Sequence, residues 1–214
     1  VRLVGSEMCI RDRADTRIRL NTPTAVIALK DILGLPSAPR RIETFDISNI
    51  QGSDPVASLV CFVDGRPRKS DYRKYAIKDV IGPNDFAMMQ EVVGRRYRRL
   101  LDENLPLPDL VLIDGGKGHY SVAREIINEL GLHGIPIIAI AKGKFRKSGN
   151  ETFFHNGKNF KFIKNDPTLF FLQRLRDEAH RFAISAHRSK RKRAISKSLL
   201  DQIEGIGLSL IHIS

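Results

Sequence analysis

The chain has 214 residues, with 36 Lys and Arg against 24 Asp and Glu, a formal net charge of +12 and a pI near 10.0. That length suits one domain with a single substantial core. A hydrophobic fraction of 42%, a charged fraction of 28% and no apolar run long enough to span a bilayer exclude a membrane protein.

The excess of cations favours an acidic polymer as partner. Nucleic acid stands ahead of anionic lipid, because no basic amphipathic helix with an exposed apolar face is evident; solvated basic faces are the alternative. Only Cys9 and Cys61 are present, so there is no disulfide framework or thiolate zinc site, and a reducing cytosol fits. Cys61 reads as a core residue, and no continuous apolar secretory signal opens the chain.

Residues 1–13 and 208–214 continue neither a helical nor a strand pattern. Val4-Gly5-Ser6-Glu7-Met8-Cys9-Ile10-Arg11-Asp12 and Leu208-Ser209-Leu210-Ile211-His212-Ile213-Ser214 resemble translated sequencing-adapter DNA. Both ends are therefore read as non-native, which sets aside Cys9 and His212. Residues 14–40 read as a helix, Thr24 to Leu33, stopped by Gly34 and followed by a linker with Pro36 and Pro39.

Ile42 to Ser48 reads as a strand with Asp46 inside an apolar run. Val56 to Val63, the turn Asp64-Gly65 and Tyr72 to Ile77 read as a hairpin. From Asp85, the residues Phe86, Met89, Val92, Val93, Tyr97 and Leu100 recur at helical spacing, with arginines opposite. The run Leu110-Val111-Leu112-Ile113-Asp114-Gly115-Gly116-Lys117-Gly118 is an apolar strand ending in a carboxylate where glycines turn the chain. A helix from Tyr120 to Leu130 and a buried strand from Ile135 to Ala141 follow. A small hairpin joins Glu151–Phe154 to Phe160–Ile163 around Asn156-Gly157. A long helix starts near Pro167 with Leu169, Leu172, Leu175, Ala179, Phe182 and Ala183 on one face.

Three antiparallel strands, then helix, strand, helix, strand and a final helix make a mixed α/β sheet flanked by helices. That order resembles a ribonuclease H-like fold spanning 41–198, with 199–207 beyond it. An ionised carboxylate inside or at the end of a buried strand needs a cation or donors to compensate it. Asp46 and Asp114 are therefore candidate metal ligands, and His180, on the last helix, is the candidate third. Two aspartates and an imidazole suit Mg²⁺ or Mn²⁺, and the implied chemistry is phosphodiester hydrolysis with metal ions about 4 Å apart. Asp85 is a further participant on this reading, or else a helix N-terminal acid favoured by the helix dipole.

Lys117 after glycines invites comparison with a nucleotide-binding loop, but Val111 or Leu112 stands where a Walker loop has its first glycine, and Gly118 replaces Ser or Thr. Lys117 reads as a contact to a nucleic-acid phosphate, or as part of a tight turn. The dense cations Arg188, Lys190, Arg191, Lys192 and Arg193 read as lying along phosphate, or as a solvated helix end.

The motifs Phe45-Asp46-Ile47-Ser48-Asn49-Ile50-Gln51-Gly52, Leu112-Ile113-Asp114-Gly115-Gly116-Lys117-Gly118 and Arg176-Asp177-Glu178-Ala179-His180 resemble the C-terminal nuclease half of the UvrC family, the incising subunit of the bacterial UvrABC excision nuclease. Tyr72-Arg73-Lys74-Tyr75, Ala141-Lys142-Gly143 and Glu151-Thr152 add to the likeness, which runs from about Ala25 to Gly207. The resemblance implies a ribonuclease H-like domain in a bacterial cytoplasm that cuts damaged duplex DNA 5′ of a lesion.

The resemblance further implies an Asp-Asp-His metal site of Asp46, Asp114 and His180, with Asp85 as an additional acid important for incision. By inference, Lys117 and the basic run contact DNA. The chain is expected to be a fragment, without the 3′-cutting nuclease or the UvrB-binding segment; 199–207 resembles the start of a helix-hairpin-helix region. His119 stands where that family commonly has glutamine. A non-catalytic nucleic-acid-binding module on the same fold is the alternative, and a nucleotide-binding enzyme using Lys117 is a third reading.

Overall fold

The computed structural model describes residues 24–48, 56–80, 82, 84–142 and 150–201, with side chains to residue 185 except at Ser48. The adapter-like ends, the Asn49-Ile50-Gln51-Gly52 part of the first motif and 202–207 lie outside the described residues.

A helix over residues 24–33 (α1) precedes the strands β1 (Arg41–Ser48), β2 (Val56–Val63), β3 (Arg66–Pro67) and β4 (Arg73–Ala76), then α2 (Asp85–Asp102), β5 (Leu110–Asp114), α3 (Lys117–Glu129), β6 (Ile137–Ala141), β7 (Thr152–His155), β8 (Lys158–Phe160) and α4 (Pro167–Asp201). The strands form one sheet in the order β3-β2-β1-β5-β6-β7-β8, with β4 also paired to β2. β1, β5 and β6 run parallel at its centre, and the flanking pairs are antiparallel.

Each central strand alternates between two apolar layers. Ile42, Leu110, Leu112, Ile138 and Ile140 face α1 and α4, where Ala25, Leu29, Leu172, Leu175 and Ala179 bury against them. Phe45, Val111, Ile113, Ile137 and Ala139 face α2 and α3, meeting Met89, Val92, Tyr97, Ala123 and Ile127. Cys61 is buried, and burial pushes its thiol up to about 12, as befits an inert core residue. Among the described residues no helix is long and apolar enough to cross a membrane.

Four expectations shift. A two-residue strand, β3 (Arg66–Pro67), pairs with β2 ahead of the expected third strand, which is β4, and the short helix Lys69–Asp71 separates the two. Asp114 consequently lies on the fifth strand rather than the fourth. At Asn156-Gly157 both residues have positive φ, the mark of a type I′ turn that resumes pairing at once; the returning strand is Lys158–Phe160, and Ile163 is exposed. α3 begins at Lys117, so Gly118 lies within its first turn. β6 begins after Pro136, at Ile137. The apolar face expected of the final helix is buried, with Phe182 partly so.

Candidate metal centre

Asp46 lies an even number of steps from Ile42, and Asp114 from Leu110, so both project toward the α4 layer. The parallel register pairs Phe45 with Ile113, so the two acids, one step further on, stand side by side at the carboxyl ends of adjacent strands. This is the edge at which open α/β sheets bind ligands. α4 packs over β1 and β2 and brings His180 to the same place. One donor atom from each of Asp46, Asp114 and His180 lies within 4.8 Å of the others, and His180 Nδ1 is 3.4 Å from Asp46 Oδ2.

Burial pushes the Asp46 carboxyl above its ordinary value, against the pull of His180 and Lys142. Burial, followed by the charge of Asp46, pushes Asp114 up to about 6. Asp46 Oδ2 is buried without a hydrogen bond of good geometry, the His180 nitrogen lying 3.4 Å away. Two crowded carboxylates, an imidazole and one unsatisfied buried oxygen fit a hard divalent cation with open coordination positions.

Asp85 stands apart from these three. It is the exposed first residue of α2, behind Asn84, whose side chain accepts a hydrogen bond from Ala87 N at 3.1 Å. Its charge reaches His119, whose imidazole is pushed down by burial while Asp85 and Asp114 pull it up. The rings of His119 and Phe86 are 4.7 Å apart, which joins the start of α2 to that of α3. Lys117 is exposed at the first position of α3, behind Gly116. Arg188, Lys190, Arg191, Lys192 and Arg193 lie on α4, and their side chains are outside the described residues.

Two cations that the sequence motifs contain, Lys142 and Arg176, stand beside the acids. Lys142 directly follows β6, whose Ile140 pairs with Asp114; it is exposed, acts on both carboxylates and joins no salt bridge among the described residues. Its signal was a basic residue at the end of a buried parallel strand, the same signal that marked Asp114. Arg176 precedes His180 by one helical turn, on the same face of α4. Its guanidinium donates to Glu151 at 3.1 Å and to Asp177 at 2.8 Å, and it too draws down the Asp114 carboxyl. An open groove of about 500 Å³, lined by Asp177, His180, Arg181, Ile184 and Ser185, adjoins the cluster.

A family model described as the UvrC RNAse H endonuclease domain matches residues 30–184, a span holding all three clustered residues and both cations. The chain belongs to this UvrC family. It is 53% identical over 182 residues to the UvrABC system protein C of Flavobacterium psychrophilum, an alignment covering 84% of this chain and 29% of that relative. The chain thus spans under a third of the length of this UvrC relative.

Among solved structures, the endonuclease V of Bacillus subtilis aligns with a TM-score of 0.42 at 14% identity, over 76% of this chain and 90% of that one. The endonuclease V of Streptomyces avermitilis aligns with a TM-score of 0.40 at 16% identity, over 84% and 94%. The UvrC family match, together with the mixed sheet, bears out the ribonuclease H-like fold expected from the order of elements.

Proposed function

We propose that the chain is the metal-dependent DNA endonuclease domain of a UvrC protein, making the incision 5′ of a lesion in damaged duplex DNA during nucleotide excision repair. The observation that carries this reading is the convergence of Asp46, Asp114 and His180 around an unsatisfied buried oxygen, in a chain of the UvrC nuclease-domain family. These three residues would hold Mg²⁺ or Mn²⁺. The cation, when bound, supplies Lewis acidity toward a phosphate oxygen and makes water a stronger acid.

The protein's own groups do the rest. Asp46 and Asp114 fix the ligand geometry from two rigid strands. Lys142, exposed beside them, meets the incoming phosphate, while Arg176 is held back by Glu151 and Asp177 as a fixed local charge. Lys117, Arg188, Lys190, Arg191, Lys192 and Arg193 contact the DNA backbone on this reading, and Asp85 supports incision from the edge of the site.

The nuclease domain covers 41–198, after the helix and linker of 14–40 and before the helix-hairpin-helix start at 199–207. The full-length protein would work with UvrB in the bacterial cytoplasm.

Titration of Mn²⁺ and Mg²⁺ into the chain and its Asp46→Asn variant tests the proposal, following melting temperature and nicking of a supercoiled plasmid. Stabilisation and nicking that are both lost in the variant support it. A folded chain that binds DNA with no response to either metal overturns it in favour of a non-catalytic binding module.

A further inference from the structure

A row of polar side chains crosses the sheet beneath α4. The register pairs Asp46 with Ser58 and Ser58 with Lys74, and Asp114 stands beside Asp46. Asp114, Asp46, Ser58 and Lys74 therefore occupy one line over β5, β1, β2 and β4, all on the α4 face. Two members touch the helix away from the acids: Lys74 reaches Ser185 Oγ at 3.3 Å and lies over the Phe182 ring, and Ser58, wholly buried, donates from Oγ to the Ala179 carbonyl at 2.9 Å.

The Ala179 carbonyl belongs to the peptide unit that leads into His180. Within a helix this oxygen already accepts the bond from four residues on, so Ser58 takes its second lone pair and the helix does not depend on that bond. What the bond adds is direction. Around it, Leu175, Ala179 and Ala183 bury an apolar stripe against the sheet, and dispersion contacts of that kind are non-directional. Metal ligation is not, since ligand distances hold to within about 0.2 Å.

We infer that Ser58 is a positioning residue of the metal centre. By holding the Ala179–His180 peptide against β2, the strand next to Asp46, it sets how closely the His180 imidazole meets the Asp46 carboxylate. The inference rests on the reading of Asp46, Asp114 and His180 as metal ligands.

The test is a double-mutant cycle on the whole chain, with Mn²⁺ binding read from the loss of the free-ion electron paramagnetic resonance signal. Ser58→Ala is expected to weaken Mn²⁺ binding about tenfold, the loss typical of removing a group that orients a ligand. In the His180→Ala background the same change is expected to do nothing further, because the residue it orients is gone. Metal-free melting should move by a few degrees at most, since the Ala179 carbonyl keeps its helical partner. If Ser58→Ala fails to fold, Ser58→Cys keeps the volume with a poor donor and replaces it in the cycle.

Unchanged affinity in the single variant, or an equal loss in both backgrounds, overturns the positioning role. A parent that binds no Mn²⁺, or binds it as well as Asp46→Asn does, overturns the metal-centre reading and this inference with it.

Discussion

Replacing Asp114 with asparagine should make the metal-free protein more stable at neutral pH while abolishing its stabilisation by metal. Asp114 ordinarily titrates near 3.8, and here burial and the adjacent Asp46 charge raise it to about 6. Between those values the unfolded chain has released the proton and the folded chain still holds it. The folded state thus binds more protons across that window, so stability falls as pH rises through it and stays lower above about 6. The difference amounts to about 3 kcal/mol. Asp46 is shifted in the same direction and adds to the strain.

An asparagine at 114 carries no charge at any of these pH values. At about 2–4 °C per kcal/mol for a domain of this size, Asp114→Asn should melt about 6–12 °C above the parent in chelator at pH 7.5, with the gap closing toward pH 4. In Mn²⁺ the order reverses, because only the parent gains a ligand for its paired carboxylates. Thermal melts followed by circular dichroism, with chelator or Mn²⁺ across pH 4 to 8, measure all of this. A variant that melts at or below the parent in chelator at pH 7.5, or a gap that does not change with pH, refutes the reasoning.

Lys142→Ala should lower DNA cleavage at least about tenfold, less than the roughly hundredfold or more for losing a desolvated preorganised donor at developing charge because Lys142 is exposed, while leaving the Mn²⁺ dissociation constant within about threefold; a proportional loss of metal binding would place its role elsewhere. Glu43 lies fully buried, accepting from Arg96 and from Arg41 at 3.2 Å. Glu43→Ala strands the Arg96 charge in the core and should cost about 3–5 kcal/mol in urea unfolding; a cost below about 1 kcal/mol would show the arginine escaping to water. A Cβ at Gly118 would stand 2.5 Å from the Phe86 ring, so Gly118→Ala should cost about 1–3 kcal/mol, and adding Phe86→Ala should recover most of it in the same assay.

Local pattern carried much of the architecture. The run from Leu110 to Ile113 is apolar throughout because β5 is covered on both faces, and Asn156-Gly157 turns the chain because both residues adopt positive φ. Met89, Val92, Val93, Tyr97 and Leu100 sit at helical spacing and are all buried on one side of α2. Phe86, read as part of that stripe, is half exposed, because it lies over Gly118 and His119 at the edge of the site instead of on the sheet. Periodicity reports which residues leave water and is blind to such edges.

Asp46 and Asp114 stood out from their immediate neighbours alone, since a carboxylate in or at the end of an apolar strand must be compensated. The sequence by itself also determined the strand and helix periods and the basic character of the surface. That Asp46 and Asp114 meet follows from the β1–β5 register; that His180 joins them while Asp85 stays outside their cluster, and that Lys142 and Arg176 flank the pair, follow from how the helices and strand ends pack on the formed sheet. Burial is written in spacing along a few residues. Register between strands far apart in sequence, and the seat of a helix upon them, are settled by the packing of both apolar layers together, so the chemistry assembled there could be read only once the sheet was formed.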